Sequence, residues 1–464
     1  MARRKRHPPL RVLLNNRLVG HLRKAPSGAI EFQYDEAWLG WSHAFPASLS
    51  LPLREDPYRG AEVGAVFDNL LPDSDALRER VAEKVGAEGA DAYSLLTAIG
   101  RDCVGALQFL TADDDDHYHH PAVDTGGDDD DDGGGDDADS GDRARHGDIT
   151  VDGEALDEAA IEKLLKGLAQ APLGLTREDE FRISVAGGQE KTALLWLNGR
   201  WFKPHGTTPT THIFKTPIGQ LPNGIDLSHS VENEYYCLKL AAAFGLPVND
   251  AEIHTVGETK ALVIERFDRR WTRDGRLIRL PQEDFCQALS VPPTRKYQSD
   301  GGPNLVQILD LLKGSDTPAE DQATVFKAQI LFWLIGATDG HAKNFSIFLG
   351  PGGTYRLTPL YDVLTAQPSL DAGQIERNQF RLAMSIGKNR HYCIHEGLGR
   401  HFVQTGEAAG LPKKLIKDAI DAMIDTAATA VSSVEQSLPT DFPGMIPESV
   451  SGALAERVKG LSAL

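Results

Sequence analysis

At 464 residues the chain has the length of roughly three domains, each able to bury its own core, which excludes a small scaffold dependent on disulfides or metals. Its four cysteines, Cys103, Cys237, Cys286 and Cys393, show neither paired nor zinc-type spacing, as expected of a reducing, cytoplasmic setting. The net charge of −19 is mostly local: fourteen Asp and no Lys or Arg lie between Asp113 and Asp142, and removing them leaves −5, so no domain-wide basic signature of direct nucleic-acid binding exists.

The basic start, Met1 to Pro8, is not followed by an apolar stretch of signal-peptide type, and no secretion signal is read there. Residues 10 to 53 contain short β-rich pieces, Leu10–Leu14 and Ala29–Tyr34, broken by Asn15-Asn16 and Pro26-Ser27-Gly28. The pattern turns helical from Ala76 to Leu96, and Cys103–Leu110 reads as a closing strand. Residues 1–112 are therefore predicted to form an N-terminal β-rich subdomain. Residues 113–148, rich in Asp and Gly, bury too little apolar surface to offset ordering entropy and are predicted to be a disordered insert. His117, His119 and His120 within it read as part of a solvated polar loop.

A helix is predicted from Glu154 to Ala169, then strands at Phe181–Val185, Thr192–Leu197 and Thr211–Lys215. Ser230 is placed to cap the next helix, with Glu232 and Glu234 in its first turn, and Leu262–Glu265 is a further β-run. Beyond residue 268, Val306–Leu312, Ala323–Ile335, Lys413–Ala427 and Val450–Leu461 are helical. The longest apolar run, Ala328–Ala337, is about half of the roughly twenty residues a membrane helix needs, so no membrane association is expected. The chain thus divides into a mixed part, 149–267, and a mostly helical part, 268–464.

The chemistry concentrates in Asp339-Gly340-His341-Ala342-Lys343-Asn344. Phosphoryl transfer needs a carboxylate near the incoming hydroxyl and oxygen ligands for magnesium, and Asp339 stands five residues before the Asn344 amide, as in the kinase catalytic loop. A predicted hairpin, Phe345–Leu349 and Tyr355–Leu357 around Pro351-Gly352-Gly353, would return Asp362 beside Asn344. Upstream, Ser184 to Lys191 carries adjacent glycines whose backbone amides can approach phosphates, although an ordinary hairpin turn has the same composition. Lys215, on a strand of buried character, needs a carboxylate or phosphate partner, and Glu234 is the candidate; a solvent-exposed strand-end lysine is the alternative.

Assembled, these residues resemble the HipA family of bacterial serine/threonine kinase toxins. The resemblance runs through Phe67–Ser74, Ile99–Asp102, Phe181–Lys191, Thr210–Lys215, Asn233–Cys237, Glu265–Arg270, Leu280–Asp284, Gly336–Ser346, Tyr361-Asp362 and Ser437–Pro443. It implies an α+β, two-lobed protein-kinase-like fold with the N-terminal subdomain appended. It also implies Asp339 as catalytic residue and Asn344 and Asp362 as Mg2+ ligands. Contacts to ATP are implied for Ala186, Gly187, Gly188, Gln189, Glu190, Lys191 and Lys215, for the hinge residues Glu265, Arg266 and Phe267, and for His341, Ala342, Lys343 and Tyr361. Ser184 matches the family's autophosphorylation site. The implied partners are a HipB-like helix-turn-helix antitoxin, operator DNA through the toxin-antitoxin complex, and a protein substrate such as glutamate-tRNA ligase. The competing readings are a small-molecule or lipid kinase, which reuses Asp-x4-Asn, and a non-catalytic scaffold for antitoxin and DNA.

Overall fold

The computed structural model describes residues 7–112, 114, 152–175, 181–187 and 189–462. The predicted insert at 113–148 lies outside the described residues apart from Asp114, which pairs with Arg101 at 2.5 Å.

Alternating apolar residues build the first sheet from β1 (Leu10–Leu14), β2 (Arg17–Lys24), β3 (Ile30–Tyr34), β4 (Tyr58–Arg59) and β5 (Leu107–Leu110), in the order β4-β3-β2-β1-β5. β2 escaped the sequence reading because Arg17, His21, Arg23 and Lys24 dilute its apolar face, yet Val19 and Leu22 are fully buried. Four helices accompany the sheet: α1 (Glu36–Leu39), α2 (Ala61–Asp68), α3 (Asp75–Val85) and α4 (Ala92–Ile99). This part is therefore mixed α/β. The helical pattern over 76–96 forms two helices: Gly86, at φ +69°, ends α3, and the Asp91 side chain caps α4.

The second sheet runs β12-β13-β9-β7-β8-β6, with β6 (Gly153–Leu156), β7 (Lys191–Leu197), β8 (Arg200–Pro204), β9 (His212–Lys215), β12 (Ala251–Val256) and β13 (Thr259–Glu265). A short hairpin, β10 (Gly219–Gln220) and β11 (Asp226–Leu227), leaves β9 for α6 (Ser230–Ala243). Three expectations are corrected. Residues 154–169 do not form one helix: Gly153–Leu156 pairs with β8, and α5 (Glu158–Gly167) starts only where Asp157 accepts from Ala160 N at 2.8 Å. Phe181–Val185 is not a ladder strand but a buried connector with one bridge, Ile183 to Asp102; its apolar character reflects burial, not pairing. Ser230 does not cap α6: it is the first helical residue, and its Oγ accepts from Ile218 N at 2.9 Å.

β14 (Arg269–Trp271) and β15 (Leu277–Arg279) lead to a small sheet, β16-β17-β18, of Gln282–Asp284, Ser346–Leu349 and Tyr355–Leu357. The helices that follow α6 are α7 (Phe285–Ala288), α8 (Leu305–Leu311), α9 (Pro318–Ile335), α10 (Gln367–Asp371), α11 (Gly399–Ala408), α12 (Lys413–Ser437) and α13 (Met445–Leu461). α9 is apolar on nearly every face because α12, α13 and α6 surround it. Among the described residues no helix is long and apolar enough to cross a membrane.

Candidate active site

α9 stops where it does because Gly336 adopts φ +74° and donates to Phe332 and Trp333 carbonyls. That stop delivers Thr338 and Asp339 to the surface of a cavity of about 520 Å3. Gly340 is required by space: a Cβ there would lie 2.3 Å from the Phe332 ring. Asn344 Nδ2 donates to Asp339 O at 2.8 Å and to Asp362 O at 3.3 Å, so the amide ties the catalytic-type loop to the end of the β17–β18 hairpin.

Asp362 has φ +57°, a conformation uncommon for a residue with a side chain, and its Oδ1 accepts from Lys215 Nζ at 2.6 Å. Lys215 also donates to both carboxylate oxygens of Glu234, at 2.8 and 3.0 Å. The partner expected for Lys215 is thus in place, and the exposed alternative is not: the lysine is buried. Burial opposes its charge, but Asp362 and Glu234 outweigh burial and hold it as ammonium. Burial likewise opposes the charge of Asp362, and Lys215 and Lys191 overcome that, holding its carboxyl well below the ordinary range.

Lys191 brings a second ammonium. Its Nζ donates to Ala186 O at 2.5 Å, and burial together with Lys215 pushes its pKa down to about 8, against the pull of Asp362 and Asp73. Gly187, at φ +106°, lies under it; a Cβ would stand 2.5 Å from Lys191 Nζ. Gly188 lies outside the described residues.

Some residues expected at the nucleotide are committed elsewhere. The Arg266 guanidinium is buried among Asp268, Asp102, Thr210 and the Cys103 carbonyl, so it anchors the hinge, where Arg266 and Phe267 both border the cavity. Glu190 faces outward toward Arg80 at 3.6 Å, Glu265 is exposed, and Ala342 belongs to the core; none of the three lines the cavity. Lys343 lines it but is held by Asn69 O and Oδ1 at 3.0 and 2.8 Å and by Asp284 at 3.2 Å. Tyr361 lines it as well, its hydroxyl donating to Lys343 O at 2.8 Å. His341 is buried, burial lowers its pKa, and its ring stands edge-on to Tyr297.

Sequence reasoning missed Tyr297, whose hydroxyl donates to Asp339 Oδ1, and Asp73, which accepts from Lys296 at 2.8 Å and faces Lys343 at 3.4 Å. Asp73 lay within the Phe67–Ser74 stretch, whose signal was position in a motif without a stated role. Ser184 is fully buried, and its Oγ donates to Leu70 O at 2.7 Å.

Among the described residues no group of three or more His, Cys, Asp or Glu could hold a metal by itself. Magnesium does not require one: it is commonly held by one or two carboxylates together with substrate phosphates. Asp362 and the Asn344 amide oxygen fit that donor set, because the amide nitrogen is already committed to backbone carbonyls.

Residues 183–431 match the model of the HipA-like C-terminal domain, and residues 10–110 that of the HipA N-terminal domain. A putative kinase, Y4mE, of Sinorhizobium fredii is 34% identical over 92% of this chain and 91% of its own length. The serine/threonine-protein kinase toxin HipA of Shewanella oneidensis is 24% identical over 93% of this chain and 90% of its own. The solved structure of Shewanella oneidensis HipA with HipB and operator DNA has the same fold, with a TM-score of 0.75, 21% identity and 98% of both chains covered.

Proposed function

This chain belongs to the HipA family of serine/threonine kinase toxins, and we propose that it transfers the γ-phosphate of ATP to a serine or threonine hydroxyl of a protein. The observation that carries this is the convergence of Lys215, Asp362, Asn344 and Asp339 on one cavity from three separate elements, with Glu234 of α6 holding Lys215 in place. Phe267, with Val104 and Ile213, offers an apolar slot for the adenine, and Lys191 and Lys215 offer charge to the phosphates. Asp339 takes the proton of the acceptor hydroxyl as its oxygen bonds to the γ-phosphorus and the bond to the departing ADP breaks. Tyr297 holds one oxygen of Asp339 and leaves the other for that proton. Asp362 and Asn344 would hold Mg2+, which when bound neutralises charge on the phosphates. Incubation with labelled Mg-ATP tests the reading: label is expected on serine or threonine of protein, and label found only on small molecules or lipid would contradict it.

The lysine pair sets a pH dependence. Phosphates beside Lys191 favour its charged form, so its pKa rises above the free protein's value of about 8 when ATP binds. Binding then takes up a proton, and affinity falls as pH rises above 8, by up to about tenfold per pH unit. Titration calorimetry in buffers of different ionisation enthalpy reads the uptake; an affinity flat across this range would refute the role of Lys191.

We assign Ser184 as the self-phosphorylation site on its place in the family motif. Because it is fully buried, the 181–187 segment must leave its slot before Ser184 can accept phosphate. The nearly two negative charges gained cannot return to that slot beside ATP phosphates. Phosphorylated protein is therefore expected to lose ATP binding, whereas Ser184→Ala should label other proteins without labelling itself. Full transfer by stoichiometrically phosphorylated protein would overturn this. The proposal extends to neutralisation by a HipB-like antitoxin, to operator DNA bound through that complex, and to a translation component, glutamate-tRNA ligase, as substrate. It is supported by the family and by the HipB and DNA partners of the Shewanella protein.

A further inference from the structure

The cavity is lined in part by apolar side chains that the nucleotide and magnesium roles above do not use. Along β9, His212 pairs with Glu265 at the hinge and Lys215 with Leu262, so the strand runs from the adenine end to the phosphate end. The chain then continues through Ile218 into the β10–β11 hairpin, where Leu221, Ile225 and Leu227 line the same cavity. The opposite wall behaves alike: past Asp362 come Leu364 and, after α10, Ile375. The two walls are joined where Asp226 N donates to Gln374 Oε1 at 3.1 Å. On both walls these apolar residues follow the phosphate-end residues, Lys215 on one side and Asp362 on the other, so they belong with that end of the cavity rather than with the hinge at Glu265.

Two further features lie beside this apolar end. A second cavity of about 130 Å3 shares Leu227, Asn233 and Ser369 with the first and continues over Pro368, Met445 and Ile446. Ile218 lines the first cavity and Met445 the second, and they are 36% and 47% exposed. They are two of only four large hydrophobic side chains exposed among the described residues, and exposed apolar surface beside a cavity marks a binding surface. A sugar or other polar metabolite gains nothing from such a groove, whereas an extended peptide does.

Resting on the kinase reading above, we propose that the β10–β11 hairpin and the segment after Asp362 form a specificity subsite. It takes an aliphatic side chain within three residues of the phosphorylated serine or threonine, in an extended segment of the protein substrate. Ile218, Leu221, Ile225, Leu227, Leu364 and Ile375 are its walls.

A positional-scanning library of serine-centred peptides with Mg-ATP tests this, read alongside ATP affinity. The parent is expected to favour Leu, Ile, Val or Met at one flanking position by roughly 10- to 100-fold in kcat/KM. Leu227→Asp should abolish that preference while ATP affinity stays within about twofold, since the residue lies past the phosphate end. Ile218→Asp, at a position already partly exposed, gives the same readout should the first variant fold poorly. No aliphatic preference, a preference unchanged in both variants, or a library that takes no phosphate while whole proteins do would each overturn the subsite. Absence of phosphate transfer to any protein would instead overturn the kinase reading on which it rests.

Discussion

Asp362→Asn is expected to lower phosphoryl transfer by at least about 10³-fold, because a metal ligand at the transferring phosphate supplies several kcal/mol of transition-state stabilisation. Asn is the informative replacement: it tolerates the φ of +57° found there better than most residues, so the hairpin end survives. It also keeps an oxygen near Lys215 while removing the charge that the lysine and a cation both need. Lys215 retains Glu234, at 2.8 and 3.0 Å, so the buried ammonium is not orphaned and the fold is preserved. Label transfer measured beside thermal unfolding separates the two effects. A variant within tenfold of the parent would show that Asp362 is no metal ligand.

Asp102→Ala is expected to have the largest effect on stability. Asp102 is buried and accepts from Arg269 at 2.8 Å, Arg279 at 2.9 Å, Arg266 at 3.3 Å and Thr210 Oγ1 at 2.7 Å. Asp268 is the other carboxylate in the cluster and pairs with Arg266 and Arg269, so removing Asp102 leaves these two guanidinium groups sharing one acid and Arg279 without a carboxylate. Breaking such a buried arrangement costs about 3–5 kcal/mol. Because Asp102 belongs to the N-terminal part and Arg266 to the hinge, the loss should also weaken ATP binding. The sign of the pH dependence follows: burial opposes the Asp102 charge, the three arginines overcome it, and the folded pKa lies below the ordinary carboxylate value. The cluster's contribution is therefore complete at neutral pH and is lost as pH falls through the acid range. An unfolding midpoint unchanged in Asp102→Ala would contradict this account of the hinge.

What the sequence disclosed, and what it hid, depended on separation along the chain. Asp339, Gly340 and Asn344 are neighbours in sequence, and the hairpin returning Asp362 was visible from its turn and two β-runs. β7 was legible because it is nearly wholly apolar after Lys191 and Thr192, and β9 because its residues alternate outward and inward. By contrast, Tyr297, Asn69 and Asp73 reach the site from segments 42 to 274 residues away from their partners; Asn69 and Asp73 stood in a motif stretch without a stated role, and no local pattern marks Tyr297. Arg266 borders the cavity beside Phe267, but its guanidinium turns toward Asp102, 164 positions earlier, a commitment that no local pattern discloses. The helix expected over 154–169 failed at Asp157, where a cap signal inside an apolar pattern marks a beginning.

The central claim, that this cavity transfers phosphate with Asp339 accepting the proton, is tested most directly by phosphosite mapping after incubation with Mg-ATP, comparing the parent with Asp339→Ala. The expected result is phosphate on serine or threonine in the parent, on Ser184 when no other protein is present. The variant should carry none while still binding ATP. No phosphate in the parent, or equal incorporation in both proteins, would contradict the account.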